Sequence, residues 1–73
     1  MTKTEAQTKQ ILHYLQHHTT GLTAIEALKR FNCLRLAARI GDLRAKGFEI
    51  ITVTEEGDGK RWARYYLAEE EAS

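Results

Sequence analysis

Thr8, Ile11, Leu12, Leu15 and His18 recur along one side of the first segment at helical spacing. That pattern predicts a helix over 3–18 with a single stripe turned towards a core. Thr2 or Thr4 can cap its start, with Glu5 or Gln7 three positions later as the reciprocal partner. Thr19, Thr20 and Gly21 break it. The second helix opens on Leu22-Thr23-Ala24-Ile25-Glu26, in which Thr23 accepts from a first-turn amide and Glu26 reaches back to the amide of Thr23. Ala27, Leu28 and Phe31 carry its apolar face as far as Asn32, a residue that tolerates the left-handed backbone of a helix end. The third helix, 34–46, is predicted to bury Leu36, Ala37, Ile40 and Leu43 and to stop at Gly47. Arg35, Arg39, Asp42 and Lys46 fall on its opposite face. Gly41 inside that helix costs about 1 kcal/mol relative to alanine, which a close backbone approach would explain.

After Gly47 the period drops to two. Phe48 to Thr54 is rich in β-branched residues and reads as a strand. Glu55 to Lys60 holds the turn signal Gly57-Asp58-Gly59. Arg61 to Leu67 alternates, with Ala63, Tyr65 and Leu67 on one face and Trp62, Arg64 and Tyr66 on the other. The expectation is an α+β chain, three helices followed by a β-hairpin. It forms one domain over 1–73, with 68–73 as an acidic tail expected to fray. At 73 residues the core must be thin.

Charge changes this picture once it is divided along the chain. The net value is only +1, and residues 1–28 balance. Residues 29–64 hold nine basic side chains against five acidic ones, and Glu69, Glu70 and Glu71 reverse the sign at the end. A basic body with an acidic tip is what the balanced total conceals. Two other features bear on setting. The lone Cys33 cannot form an internal disulfide, which favours a reducing compartment. No apolar run approaches the ~20 residues that span a bilayer, and the first residues form no hydrophobic signal run. A cytoplasmic location without a membrane partner is expected.

Two short helices joined by a tight turn, with arginines on the outer face of the second, are the parts of a helix-turn-helix, and a following hairpin makes it winged. The residues go further. Leu22-Thr23, Glu26-Ala27-Leu28, Phe31-Asn32-Cys33, Arg35-Leu36-Ala37-Ala38-Arg39-Ile40 and Asp42-Leu43-Arg44, with Gly47, Ile50 and Tyr65 to Leu67, resemble a family of small phage and prophage winged helix-turn-helix proteins. The resemblance spans about 9–67, and Asn32 stands where that family often has glycine. It implies a winged-helix fold, double-stranded DNA as partner and phage or prophage origin.

On that reading the helix 34–46 is the recognition helix. Arg35 and Arg39, four apart, are the candidates for base edges, since arginine suits guanine best. Lys29 and Arg30 at the end of the preceding helix, with Arg44 and Lys46, would lie nearer the phosphates. Lys60 and Arg61 at the wing would hold phosphates or enter the minor groove. A transcriptional regulator or a recombination accessory factor would fit, and so small a domain is expected to need a homodimer on paired half-sites. The alternative is a protein-binding winged helix that acts on a host or phage protein, for example as an inhibitor. Trp62 and Tyr66 would be its contact surface if they are exposed, rather than packed on the first helix or the tail.

Catalysis and cofactors find no support. His13 and His17 share a helix face, but zinc takes about three or four protein ligands, and neither His18 nor Cys33 is committed to that place. A catalytic Cys33 would need a base and an orienting group converging in a pocket, for which a chain this short seldom has room. Gly57 and Gly59 sit in a hairpin, not before a helix where a phosphate loop would be. No enzyme, metal or cofactor is expected.

Overall fold

A computed structural model describes residues 2–68. Helix α1 (Lys3–His17) is followed by a two-residue strand β1 (Leu22–Thr23), helices α2 (Ala24–Phe31) and α3 (Leu36–Ala45), and the long strands β2 (Ile50–Gly57) and β3 (Lys60–Leu67). The three strands form one antiparallel sheet in the order β1-β3-β2.

Each helix start is explained by its cap. At α1 the Thr2 hydroxyl accepts from the Glu5 amide while the Glu5 carboxylate accepts from the Thr2 amide. Thr23 and Glu26 repeat the arrangement at α2. Asn32 ends α2 at φ 53°, ψ 36°, with its amide on the Leu28 carbonyl. Helix α3 begins two residues later than the pattern predicted. No side chain caps it, and Arg35, at φ −127°, ψ 63°, supplies only its carbonyl to the amides of Ala38 and Arg39.

Ile11, Tyr14, Leu15, Leu22, Ala27, Cys33, Leu36, Ile40, Leu43 and Ile50 form the buried core, with Tyr65 and Leu67 of β3 packed against it. Three expected core positions are corrected. His18 lies beyond α1, exposed, its ring stacked on Tyr14 at 4.0 Å, and Tyr14 takes the buried place. Leu28 is exposed. Ala37 is exposed as well, because Leu36, Ile40 and Leu43 recur within about 60° of one another around the helix and Ala37 is about 90° from the middle of that stripe.

The hairpin is tighter than the expected six-residue turn. Only Asp58 and Gly59 lie between the paired Gly57 and Lys60, both with positive φ, so Glu55 and Glu56 belong to the strand. The pair β1·β3, absent from the pattern reading, sets Leu22 opposite Tyr65 and Thr23 opposite Arg64. Residues 69–73, most of the expected tail, lie outside the described residues. Its first residue, Ala68, still donates to the Glu49 carbonyl at 3.0 Å.

Two glycines carry opposite meanings. Gly21 has φ +77°, and a Cβ there would stand 2.8 Å from the Tyr65 carbonyl oxygen and 2.9 Å from the Tyr66 ring. This is where the chain leaving α1 presses on β3. A Cβ at Gly41 would meet nothing within 4 Å, so the close approach expected there is not found. Gly41→Ala should therefore stabilise the protein by about 1 kcal/mol through helix propensity, while Gly21→Ala should destabilise it by about 2 kcal/mol or more. Urea denaturation of the two variants measures both; a stable Gly21→Ala protein would contradict the close contact with β3.

Candidate nucleic-acid interface

Helix α3 offers solvent a different face from the one its arginines mark. Its buried stripe is Leu36, Ile40 and Leu43. At about 100° per residue the side opposite is Ala38, Gly41 and Ala45. Arg39, Asp42 and Lys46 lie on one flank, and Ala37, Gly41 and Arg44 on the other. The expectation that Arg35, Arg39, Asp42 and Lys46 form the outermost face is corrected accordingly.

Arg39 is not free. Its Nε donates to Asp42 Oδ2 at 2.9 Å, one helical turn away, and its side chain is only 17% exposed. The same contact changes the standing of Asp42, whose negative charge on the helix surface is neutralised in place. Lys46 follows α3 and lies close enough to the start of α1 to act on Glu5. The carboxyl of Glu5 is held below its ordinary range by the Thr2 amide and hydroxyl, with the charges of Lys46 and Lys9 adding to this. Arg35, at the entrance to α3, is exposed and has no ion-pair partner among the described residues.

Arg44 has a structural task. Its Nη2 donates to the Ile50 carbonyl at 2.6 Å and to Thr52 Oγ1 at 3.0 Å, fastening α3 to the start of β2. Ile50, Thr52, Thr54 and Glu56 share a sheet face with Leu67, Tyr65, Ala63 and Arg61. Ile50, Tyr65 and Leu67 pack on the core at one end of that face, and the rest of it continues outward beyond α3 as the wing. A nucleic acid lying along α3 would meet Thr52, Thr54 and Arg61 on this side.

The remaining basic residues divide. Lys29 and Lys60 are exposed and unpaired among the described residues. Arg30 stacks its guanidinium over the Tyr14 ring, 5.1 Å from the centroid. Arg61 faces Glu56 at 3.5 Å with both side chains largely in water, a contact of little strength. Arg35 and Arg61 are thus the available cations on the α3 side, Lys60 sits at the wing tip on the opposite face beside Trp62 and Ile25, and Arg39 and Arg44 are engaged elsewhere.

The opposite face of the hairpin carries Trp62 and Tyr66. Tyr66 is half-buried against Gly21. Trp62 lies over Gly57, not on α1, and its Nε1 donates to Glu55 Oε1 at 2.7 Å. Beside them Arg64, which the sequence reading gave no role, donates through Nε to Glu55 at 3.0 Å. Its Nη1 reaches the Thr20 carbonyl at 3.1 Å and Glu26 at 3.3 Å. The alternation of β3 was the available signal, since it placed Arg64 on the face that Glu55 shares across the hairpin.

His13 and His17 stack at 4.2 Å, and His17 Nδ1 donates to the His13 carbonyl. No group of three or more His, Cys, Asp or Glu side chains able to hold a metal exists among the described residues. No helix of the described residues is long and apolar enough to cross a membrane.

The sequence model of the winged helix-turn-helix domain family matches residues 6–70. The chain belongs to that family. No curated protein and no solved structure matches it. In winged helix-turn-helix terms α2 and α3 are the helix-turn-helix and β2–β3 the wing, an architecture that points to DNA binding. Family membership extends to the fold and its general use, not to a particular target.

The single tryptophan makes one contact in this winged helix-turn-helix directly testable. Hydrogen bonds from Trp62 and Arg64 lower the Glu55 pKa below its ordinary 4.5. A lowered carboxylate stabilises the fold fully above the unfolded value and loses that contribution as pH falls through the folded one. Trp62 fluorescence should therefore titrate with a midpoint below 4.5, and Glu55→Gln should abolish the step. A midpoint at or above 4.5 would contradict the pairing.

Proposed function

We propose that this protein binds double-stranded DNA with α3 in the major groove and the wing tip against the backbone. The observation that carries the reading is the solvent face of α3. It presents Arg35 at its entrance and then the small side chains Ala37, Ala38, Gly41 and Ala45, with its only acidic residue neutralised by Arg39. Small residues let a helix come close to base edges, alanine meets the thymine methyl, and arginine reads guanine. Lys60 and Arg61 supply phosphate contacts from the wing, with Lys29, Arg30 and Lys46 around the helix-turn-helix. Arg39 acts as a positioning residue that cancels Asp42.

The role that fits best is a phage or prophage regulator of transcription or accessory factor of recombination, working in the cytoplasm as a homodimer on paired half-sites. A second reading, binding to a host or phage protein, is favoured by one observation. Ile51, Val53 and Trp62 are exposed together on the outer face of the wing.

Selection from a random duplex library, followed by titration at several salt concentrations, tests the DNA reading. Neutralising about four to six phosphates gives a log–log salt slope of roughly −4 to −5. Arg35→Ala should reduce discrimination between sites by about 10- to 100-fold. Lys60→Ala should weaken binding to all duplexes alike and lower the slope by about 1. Absence of binding, or binding insensitive to salt, would overturn the proposal.

A second series separates the two arginines of α3. Arg39→Ala should weaken binding by exposing the charge of Asp42, and adding Asp42→Ala should restore most of it. If the double variant stays as weak as Arg39→Ala alone, Arg39 contacts DNA directly.

A further inference from the structure

Strand β2 is an outer strand of the sheet, with β3 on one side only. Its free side follows from one hydrogen bond. Ala68 donates to the Glu49 carbonyl, so in the alternation of an antiparallel ladder Ile51, Val53, Glu55 and Gly57 bond to β3. The amides and carbonyls of Ile50, Thr52, Thr54 and Glu56 point outward. Arg44 confirms the parity, since it takes the Ile50 carbonyl from that side.

From Ile51 to Thr54 no charge, proline or bulge guards this edge among the described residues. Edge strands are ordinarily protected by proline, lysine, a bulge or a covering segment. The chain has no proline, β2 has no lysine, and its eight residues pair one to one with β3. The strand is also β-branched from Ile50 to Thr54, and Ile51 and Val53 are 47% and 42% exposed.

We propose that two copies of this chain join edge to edge through β2, antiparallel about a two-fold axis at Thr54, to form one six-stranded sheet. The register is fixed by elimination. A centre at Thr54 pairs Thr54 with its own copy and Thr52 with the partner's Glu56, and it uses all the open amides and carbonyls of Thr52, Thr54 and Glu56. A centre nearer Ile50 sets a partner amide against the carbonyl that Arg44 already holds. A centre nearer the tip sets Glu55 or Glu56 against its own copy, which like charges oppose.

This register is complementary on both faces. On one, the partner's Glu56 lies opposite Thr52, whose hydroxyl is bonded to Arg44. Arg44 uses a single nitrogen for its two contacts, so its other donors are open to that carboxylate. The pairing occurs twice by symmetry. On the other face Ile51 lies opposite the partner's Gly57, which is roofed by the ring of the partner's Trp62. Trp62 is 38% exposed in the single chain, and Ile51 would cover it. The same contact covers Ile51 and Trp62 without a foreign partner, while Val53 lies opposite the partner's Glu55.

Oligomeric state measured without DNA tests this independently of the DNA reading. Sedimentation equilibrium at NMR concentrations should give twice the 8.4 kDa of the chain. Thr54→Pro removes an edge amide that β3 does not use and should give a folded monomer by circular dichroism. Glu56→Arg should weaken association at least tenfold. Register is read from oxidation. Thr54→Cys should form a covalent dimer at least tenfold faster than Thr52→Cys, since only position 54 meets its own copy at the about 5.5 Å that a disulfide spans. A monomeric wild-type chain, or equal cross-linking at 52 and 54, overturns the proposal. If Thr54→Pro fails to fold, the cysteine pair decides.

Discussion

The guanidinium of Arg64 holds together the parts that would otherwise move independently. It stands on the central strand and touches the turn after α1 through Thr20, the start of α2 through Glu26, and β2 through Glu55. Glu26 is shared, because the same carboxylate oxygen accepts from the Thr23 amide at the α2 cap. The cap that starts the helix-turn-helix is thus wired to the strand that carries the wing. Glu55 and Glu26 raise the Arg64 pKa further, Glu55 most strongly, so the arginine stays charged. Exposed ion pairs are worth little one at a time. This one is mostly withdrawn from water and multiply hydrogen-bonded, which makes it directional.

Once β3 is fixed to α2, the placement of α3 and the wing follows. Gly21 lets the chain pass against the Tyr65 backbone, Leu22 enters the core, and Thr23 begins α2 directly beside Arg64. Arg44 then closes the other end by tying the last turn of α3 to Ile50 and Thr52. Helix α3 and the wing are thereby tied together. That arrangement assigns the arginines by what surrounds them. Arg44 and Arg64 hold the frame, Arg39 neutralises Asp42, and Arg35 is left exposed without an ion-pair partner among the described residues.

Much of this frame is written locally. The capping boxes at Thr2 and Thr23, the left-handed Asn32 and the Asp58-Gly59 turn are short-range signals with a direct mechanism, and the structure contains all four. What escaped is non-local. Strand β1 has two residues and no pattern of its own; it exists because β3 lies beside it. Tyr14 displaced His18 from the core because α1 stops at His17 and Tyr14 packs edge-on against Phe31. At the candidate interface the charges were legible and their engagements were not. An arginine three residues before an aspartate on a helix reads equally well as a free cation or as a pair, and only the flank on which both sit decides between them.

In the DNA-binding proposal, α3 and the wing side next to it lie against the duplex. Amide chemical-shift mapping during titration with a selected duplex addresses it residue by residue. The largest shifts are expected at Arg35, Ala37, Ala38, Gly41 and Ala45 and at Arg61, with Ile51, Val53 and Trp62 quiet. Shifts concentrated on that outer apolar face, with α3 unmoved, would contradict it.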